Sequence, residues 1–175
     1  FYMEHYTRIF EAGRGKMDLC EIHDDFGTQN GLMIGLDMFR KYFKPFYKRY
    51  TALARSYNLK VFHHDDGAIS ELIPDLIDCG IEILNPVQWK CPGMDRASLK
   101  EKFGKQLCFH GAVENQEILP FGTVADVKKE VLKNIRTLAS DKTGYILAPC
   151  HNLQANTPLE NVIAMYETAY DEGRF

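Results

Sequence analysis

The sequence predicts an α/β fold in which a parallel sheet is covered by helices. Three observations lead there. Five short apolar strands alternate with amphipathic helices along the 175 residues. The strands are near-continuous apolar runs, as expected where both faces of a parallel sheet are covered. No linker or low-complexity stretch interrupts them, so residues 1–175 read as a single domain. Five βα units fit either a doubly wound open sheet or part of a (β/α)₈ barrel. A complete barrel takes ~250 residues, with ~200 the lower end. No GxGxxG follows the first strand, which argues against dinucleotide binding.

Taken in order, Met17 to His23 is the first strand, followed by a polar loop from Asp24 to Gly31. Asp37 is a candidate N-cap for a long helix, in which Met38, Phe39, Tyr42, Phe43, Phe46, Tyr47 and Tyr50 recur at helical spacing. Pro45 should kink that helix or mark a joint. Lys60 to His63 is the second strand, and a helix from Ile69 stopped by Gly80 follows it. Ile81 to Asn85 is the third strand, Met94 to Gly104 a short helix with Asp95 or Ser98 near its start, and Gln106 to His110 the fourth strand. Thr123 caps a helix running to Ala139, with Val124, Val127, Val131, Leu132, Ile135 and Leu138 facing inward. Gly144 to Pro149 is the fifth strand, and Leu159 to Glu172 the last helix.

Composition narrows the function. The net charge of −3 and pI of about 6.1 argue against a nucleic-acid surface. No apolar run approaches the ~18 residues of a membrane helix. The start, FYMEHYTRIF, lacks a signal-peptide pattern and does not begin with Met, so it reads as an internal start. The 5 cysteines are odd in number, irregularly spaced and without a CxxC, so a disulfide framework is not expected and the chain reads as cytoplasmic. Cys20, Cys79 and Cys108 read as small core residues.

In either parallel fold the chemistry gathers at the carboxyl ends of the strands. Those ends carry His23-Asp24-Asp25, His63-His64-Asp65-Asp66, Asn85-Pro86-Val87-Gln88, His110-Gly111 and Cys150-His151-Asn152, which hold 5 of the 6 histidines. Imidazoles beside carboxylates suit a metal such as zinc, or general acid–base work near neutral pH. His64 and Asp66 are two apart on an extended segment and so share a side. With His151 or Cys150 they make three ligands and leave a position open. Asp24 and Asp25 fit turns and caps as well as they fit a site. Gln88 and Asn152 are candidate polar anchors for a substrate.

The ordered segments DDFGTQNGLMIGLDMFRKYFKPFYKR, VFHHDDGAISELIPDLIDCGIEILNPVQ, MDRASLKEKFGKQLCFHGAVENQEILPFGT and GYILAPCHNLQANTPLENVIAMYE together resemble the uroporphyrinogen decarboxylase family. That family holds tetrapyrrole decarboxylases and cobamide-dependent methyltransferases. The resemblance implies a (β/α)₈ barrel about twice this length, with this chain matching its C-terminal half, strands four to eight. The arginines and the essential aspartate of the decarboxylases belong to the other half. His64 stands where the decarboxylases carry a serine, and His151 matches their late His-Asn. The methyltransferases carry H-x-C-G at the same strand end and a late Cys, which bind zinc with the His. Here His64-Asp65-Asp66-Gly67 fits that pattern with Asp66 in place of the Cys, and Cys150 and His151 stand at or next to the late Cys.

The resemblance therefore implies a methyltransferase-type enzyme. Its catalytic residues would be His64, Asp66 and His151. Its zinc ligands would come from His64, Asp66, Cys150 and His151, and a corrinoid protein would be its partner. Asp24, Asp25, Gln29, Gln88, His110 and Asn152 are the expected substrate contacts. Cofactor-free tetrapyrrole decarboxylation is the alternative, and a half-barrel acting only by association is a third. Five strands from half a barrel leave open edges and an uncovered concave face. The chain is thus expected to self-associate or to need an N-terminal half.

Overall fold

The computed structural model describes residues 1–174. Five strands, β1 (Leu19–His23), β2 (Lys60–His64), β3 (Ile83–Asn85), β4 (Cys108–Val113) and β5 (Tyr145–Pro149), form one sheet. Their order is β1-β2-β3-β4-β5, and every neighbouring pair is parallel. A doubly wound sheet reverses its strand order at a switch point, whereas a barrel adds strands one after another. The uninterrupted order therefore makes this sheet an arc of a (β/α)₈ barrel.

The helices are α1 (Tyr2–Ala12), α2 (Leu36–Met38), α3 (Lys44–Ser56), α4 (Ile73–Cys79), α5 (Arg96–Phe103), α6 (Ile118–Phe121), α7 (Val124–Leu138) and α8 (Leu159–Glu172). Thr123 caps α7 in a full capping box with Asp126, and Asp95 caps α5 by accepting the Ser98 N–H. Several expectations need correction. Asp37 is not an N-cap: the helix starts two residues earlier, behind Gly35, and Asp37 lies inside its first turn. Ahead of Pro45 the chain runs through a π-helical turn, Phe39–Phe43, and α3 begins at Lys44. A proline lacks the N–H that would continue the regular ladder, and the wider turn takes up the break. The helix expected from Ile69 is turns up to Leu72, with regular helix only from Ile73. β4 does not end at His110. It continues to Val113 through left-handed conformations at Gly111 and Ala112 (φ +100° and +70°). Val124 is 37% exposed rather than inward. Cys20 and Cys79 are buried as expected, while Cys108 is half-buried.

The core lies on the outer side of the arc. Val61, Leu84 and Phe109 point from the strands into helix side chains such as Leu72, Ile73, Leu76 and Leu99. A second cluster, including Val127, Val131, Ile135 and Met165, joins α7 to α8. Each such aliphatic or aromatic side chain taken out of water contributes ~1.5–3 kcal/mol. The inner face has no such cover. Glu21, His23, His64, Asn85 and His110 line an open cavity of about 540 Å³ there. The edges are exposed too, with Leu19 and Ile146 at 47% and 43%. Among the described residues no helix is long and apolar enough to cross a membrane.

Candidate metal centre

Register builds the site. On parallel neighbours, side chains at paired positions stand side by side on one face, about 4.8 Å apart. The pairings His23↔His64 and His64↔Asn85 therefore set one row across the carboxyl end of the sheet. His110 of β4 extends it: Asn85 contacts His64 through Oδ1 (2.6 Å to Nδ1) and His110 through Nδ2 (2.7 Å to Nδ1). The His23 and His64 rings lie 5.1 Å apart, and Glu21 Oε1 is 2.9 Å from His23 Nε2. Burial lowers the His110 pKa, opposed by nearby Glu21 and reinforced by His64.

Past this row the chain brings Asp66 and His151 to the outward edge of His64. Asp66 Oδ2 is 3.8 Å from His64 Nε2 and 3.8 Å from His151 Nε2. One ligand atom from each of the three lies within 4.8 Å of the other two. Asp66 Oδ1 is buried and has no hydrogen-bond partner. Burial raises the Asp66 pKa even though His64 and His151 pull it down; Asp25 and Asp65 add to the rise. His151 is the exposed member, with 44% of its side chain accessible.

Loop 24–31 is clamped over this edge from two sides. Asp65, fully buried, accepts the N–H groups of Phe26 (2.9 Å) and Gly27 (3.0 Å). Asp25 Oδ1 in turn accepts the Asp66 N–H (3.0 Å) and stands 3.8 Å from His64 Nε2. Gly67 has φ +92°, and a Cβ there would meet Thr28 O at 2.3 Å, so only glycine lets the two loops close. Beneath them His63 Nδ1 donates to Ile22 O (3.2 Å), leaving His63 Nε2 and Asp65 Oδ2 unpartnered 3.6 Å apart.

The other candidates separate into lining groups, braces and bystanders. His110 and Asn152 line the cavity. Asp24 braces the fold, accepting the Tyr47 hydroxyl at 2.7 Å. Gln29 and Gln88 clasp each other (3.1 Å) beside Cys91, in a separate crevice. Cys150 does not join the cluster. Its thiol is buried, donates to Val87 O at 3.4 Å, and has its pKa pushed up by burial and then by Glu114. Of these two neighbours, His151 and not Cys150 stands beside His64 and Asp66. Glu21, Asn85 and Tyr166 also line the cavity and were not anticipated as site residues. Glu21 and Asn85 become visible once the register is known. Tyr166 had no sequence signal, because it arrives from α8.

A sequential parallel arc with imidazoles and carboxylates at its carboxyl end defines part of a (β/α)₈-barrel protein with a candidate metal centre. The chain belongs to the uroporphyrinogen decarboxylase family, whose model, "Uroporphyrinogen decarboxylase (URO-D)", matches residues 7–171. Among solved structures it is similar to a methyltransferase from Methanosarcina mazei, with 25% identity and a TM-score of 0.72. That likeness covers 97% of this chain but 45% of the other, so the chain spans less than half of that protein. No curated protein matches the sequence.

Proposed function

We propose that this chain is the metal-holding part of a methyltransferase, with zinc bound by His64, Asp66 and His151. The observation that carries the reading is the Asp66 carboxylate, whose Oδ2 stands 3.8 Å from both the His64 and His151 Nε2 atoms and whose Oδ1 is buried without a partner. A polar atom left bare in this way costs about 1–3 kcal/mol unless something occupies its lone pairs. Two nitrogens and a carboxylate oxygen suit zinc, which accepts three protein ligands and keeps a fourth position open. Ligand atoms ~2.0–2.2 Å from zinc stand ~3.4 Å apart in a tetrahedron, close to the 3.8 Å separations here. Bound there, zinc supplies a Lewis acid that lowers the pKa of a coordinated thiol or hydroxyl.

The chain's own residues do the rest. Asp25 and Asp65 hold loop 24–31 against the cluster, and the cavity beside it receives the methyl donor or acceptor, flanked by His110 and Asn152. A corrinoid carried by a partner protein would give the methyl group to, or take it from, the molecule held in that cavity. The His64, Asp66 and His151 donor set and the likeness to a methyltransferase favour methyl transfer over decarboxylation. Further βα units would close the arc against Leu19 and Ile146 and cover Leu159, Ile163, Tyr166 and Tyr170, an exposed stripe along α8.

Elemental analysis of the purified chain after exposure to zinc tests the reading. The expected result is about one zinc per chain, lost in His64→Ala with the melting temperature retained. A chain that takes up no zinc, or a His64→Ala variant that keeps it, overturns the assignment.

A further inference from the structure

Asn85 sits at the end of β3 and is 7% exposed, with its side-chain amide spanning two imidazoles. Its Oδ1 lies 2.6 Å from His64 Nδ1 and its Nδ2 lies 2.7 Å from His110 Nδ1. An amide oxygen only accepts and an amide nitrogen only donates. A neutral imidazole has one N–H, so the amide sorts the two rings into opposite tautomers. With Oδ1 turned toward it, His64 carries its hydrogen on Nδ1. His110 must accept at Nδ1 and carry its hydrogen on Nε2.

The consequence falls on His64. The proton held on Nδ1 leaves Nε2 as a lone pair facing Asp66 and Asp25, each 3.8 Å away. The opposite tautomer would aim an N–H at those carboxylates, inviting a direct hydrogen bond that fills the space between them. We propose that Asn85 is a positioning residue that fixes the His64 tautomer and so keeps Nε2 available as an electron-pair donor to the cluster. The tautomer assignment stands on the orientation of the Asn85 amide, with Oδ1 toward His64 and Nδ2 toward His110. Its consequence for metal binding rests on the zinc reading above. Partners that orient a ligating histidine through its second nitrogen typically alter metal affinity by ~10–100-fold when lost.

Two-bond ¹H–¹⁵N correlation spectra of the metal-free 175-residue chain read the tautomers directly, at a pH well above the ordinary imidazole pKa of ~6.5. His64→Gln and His110→Gln variants assign the signals. The expected wild-type pattern is Nδ1–H at His64 and Nε2–H at His110. In Asn85→Leu the His64 signal moves toward Nε2–H, and zinc binds ~10–100-fold more weakly. Asn85→Asp discriminates further and keeps a polar side chain should the leucine variant fail to fold. Two acceptor oxygens hold His64 in Nδ1–H and convert His110 to Nδ1–H as well. An Nε2–H tautomer at His64 in the wild type overturns the proposal, as does an Asn85→Asp change that switches His64 and leaves His110 alone. Correct tautomers without zinc binding would instead fault the metal reading and leave the role of Asn85 in place.

Discussion

Arg96, Glu130 and Asn134 on the outer side of the arc form a buried polar cluster, and His64 and Asp66 on the inner side form a half-buried one beside the exposed His151. They are completed differently. Arg96 Nη1 donates to Glu130 Oε1 at 2.8 Å and to Asn134 Oδ1, its guanidinium stacks 4.2 Å from the Trp89 ring centre, and the Trp89 N–H donates to the same Glu130 oxygen. Asn134 passes the network on to Ala112 O. No buried polar atom of these side chains lacks a hydrogen-bond partner. The inner cluster holds Asp66 Oδ2 3.8 Å from each imidazole, too far for hydrogen bonds, and leaves Asp66 Oδ1 bare. A closed network ties α5 to α7, whereas an open one keeps its lone pairs for something else.

The sharpest way to break this contrast is Arg96→Ala. It strands a buried carboxylate at Glu130, 5% exposed, and removing one partner of a buried pair costs about 3–5 kcal/mol. Urea unfolding should show that loss with an unchanged m-value. A loss under 1 kcal/mol would mean that the network is not the brace described here. Asp66→Asn should do the reverse, abolishing zinc binding while leaving stability within ~1 kcal/mol, since burial already disfavours its charge.

Acid titration sharpens the comparison, because Asp66 and Asp75 are shifted in opposite senses. Burial alone would raise Asp75, but hydrogen bonds and charge from Arg40 and Lys44 hold it below 3.8. Below 3.8 the unfolded chain therefore binds this proton more readily than the folded one, and Asp75 loses its stabilising contribution as pH falls through its folded pKa. Asp66, raised above 3.8, stabilises the fold only while protonated, and that contribution fades as pH rises through its folded value. Asp75→Asn should lower stability at neutral pH and flatten its decline below pH ~3.8. Asp66→Asn should instead remove a decline on the alkaline side of 3.8. Stability measured across that range by chemical unfolding separates the two. The smallest effect is expected from Cys150→Ala, with unchanged zinc affinity and a stability loss of about 1 kcal/mol. A clear loss of zinc affinity would bring the thiol into the site.

Much of this was legible in the residues. The last helix runs from Leu159 to Glu172 as its pattern indicates, and Thr123 caps α7. α1 was not visible, because Phe1 provides no side-chain cap and the segment has no stop stronger than Gly13. Histidines at strand ends marked the inner edge of the sheet, but position along the chain does not say which atoms meet. Cys150 and His151 are adjacent, and only the path of the chain after β5 turns one inward and the other toward Asp66. Asn85 was visible as a strand end but not as a bridge, because its two partners lie 21 and 25 residues away in sequence.

The most direct test of the open cluster is thermal melting of the wild type and Asp66→Asn, each with and without zinc. A ligand that binds only the folded state at 100 times its Kd stabilises by ~2.7 kcal/mol. A rise in Tm on adding zinc to the wild type, absent in Asp66→Asn, is the result predicted here. No rise in the wild type, or an equal rise in both, would contradict it.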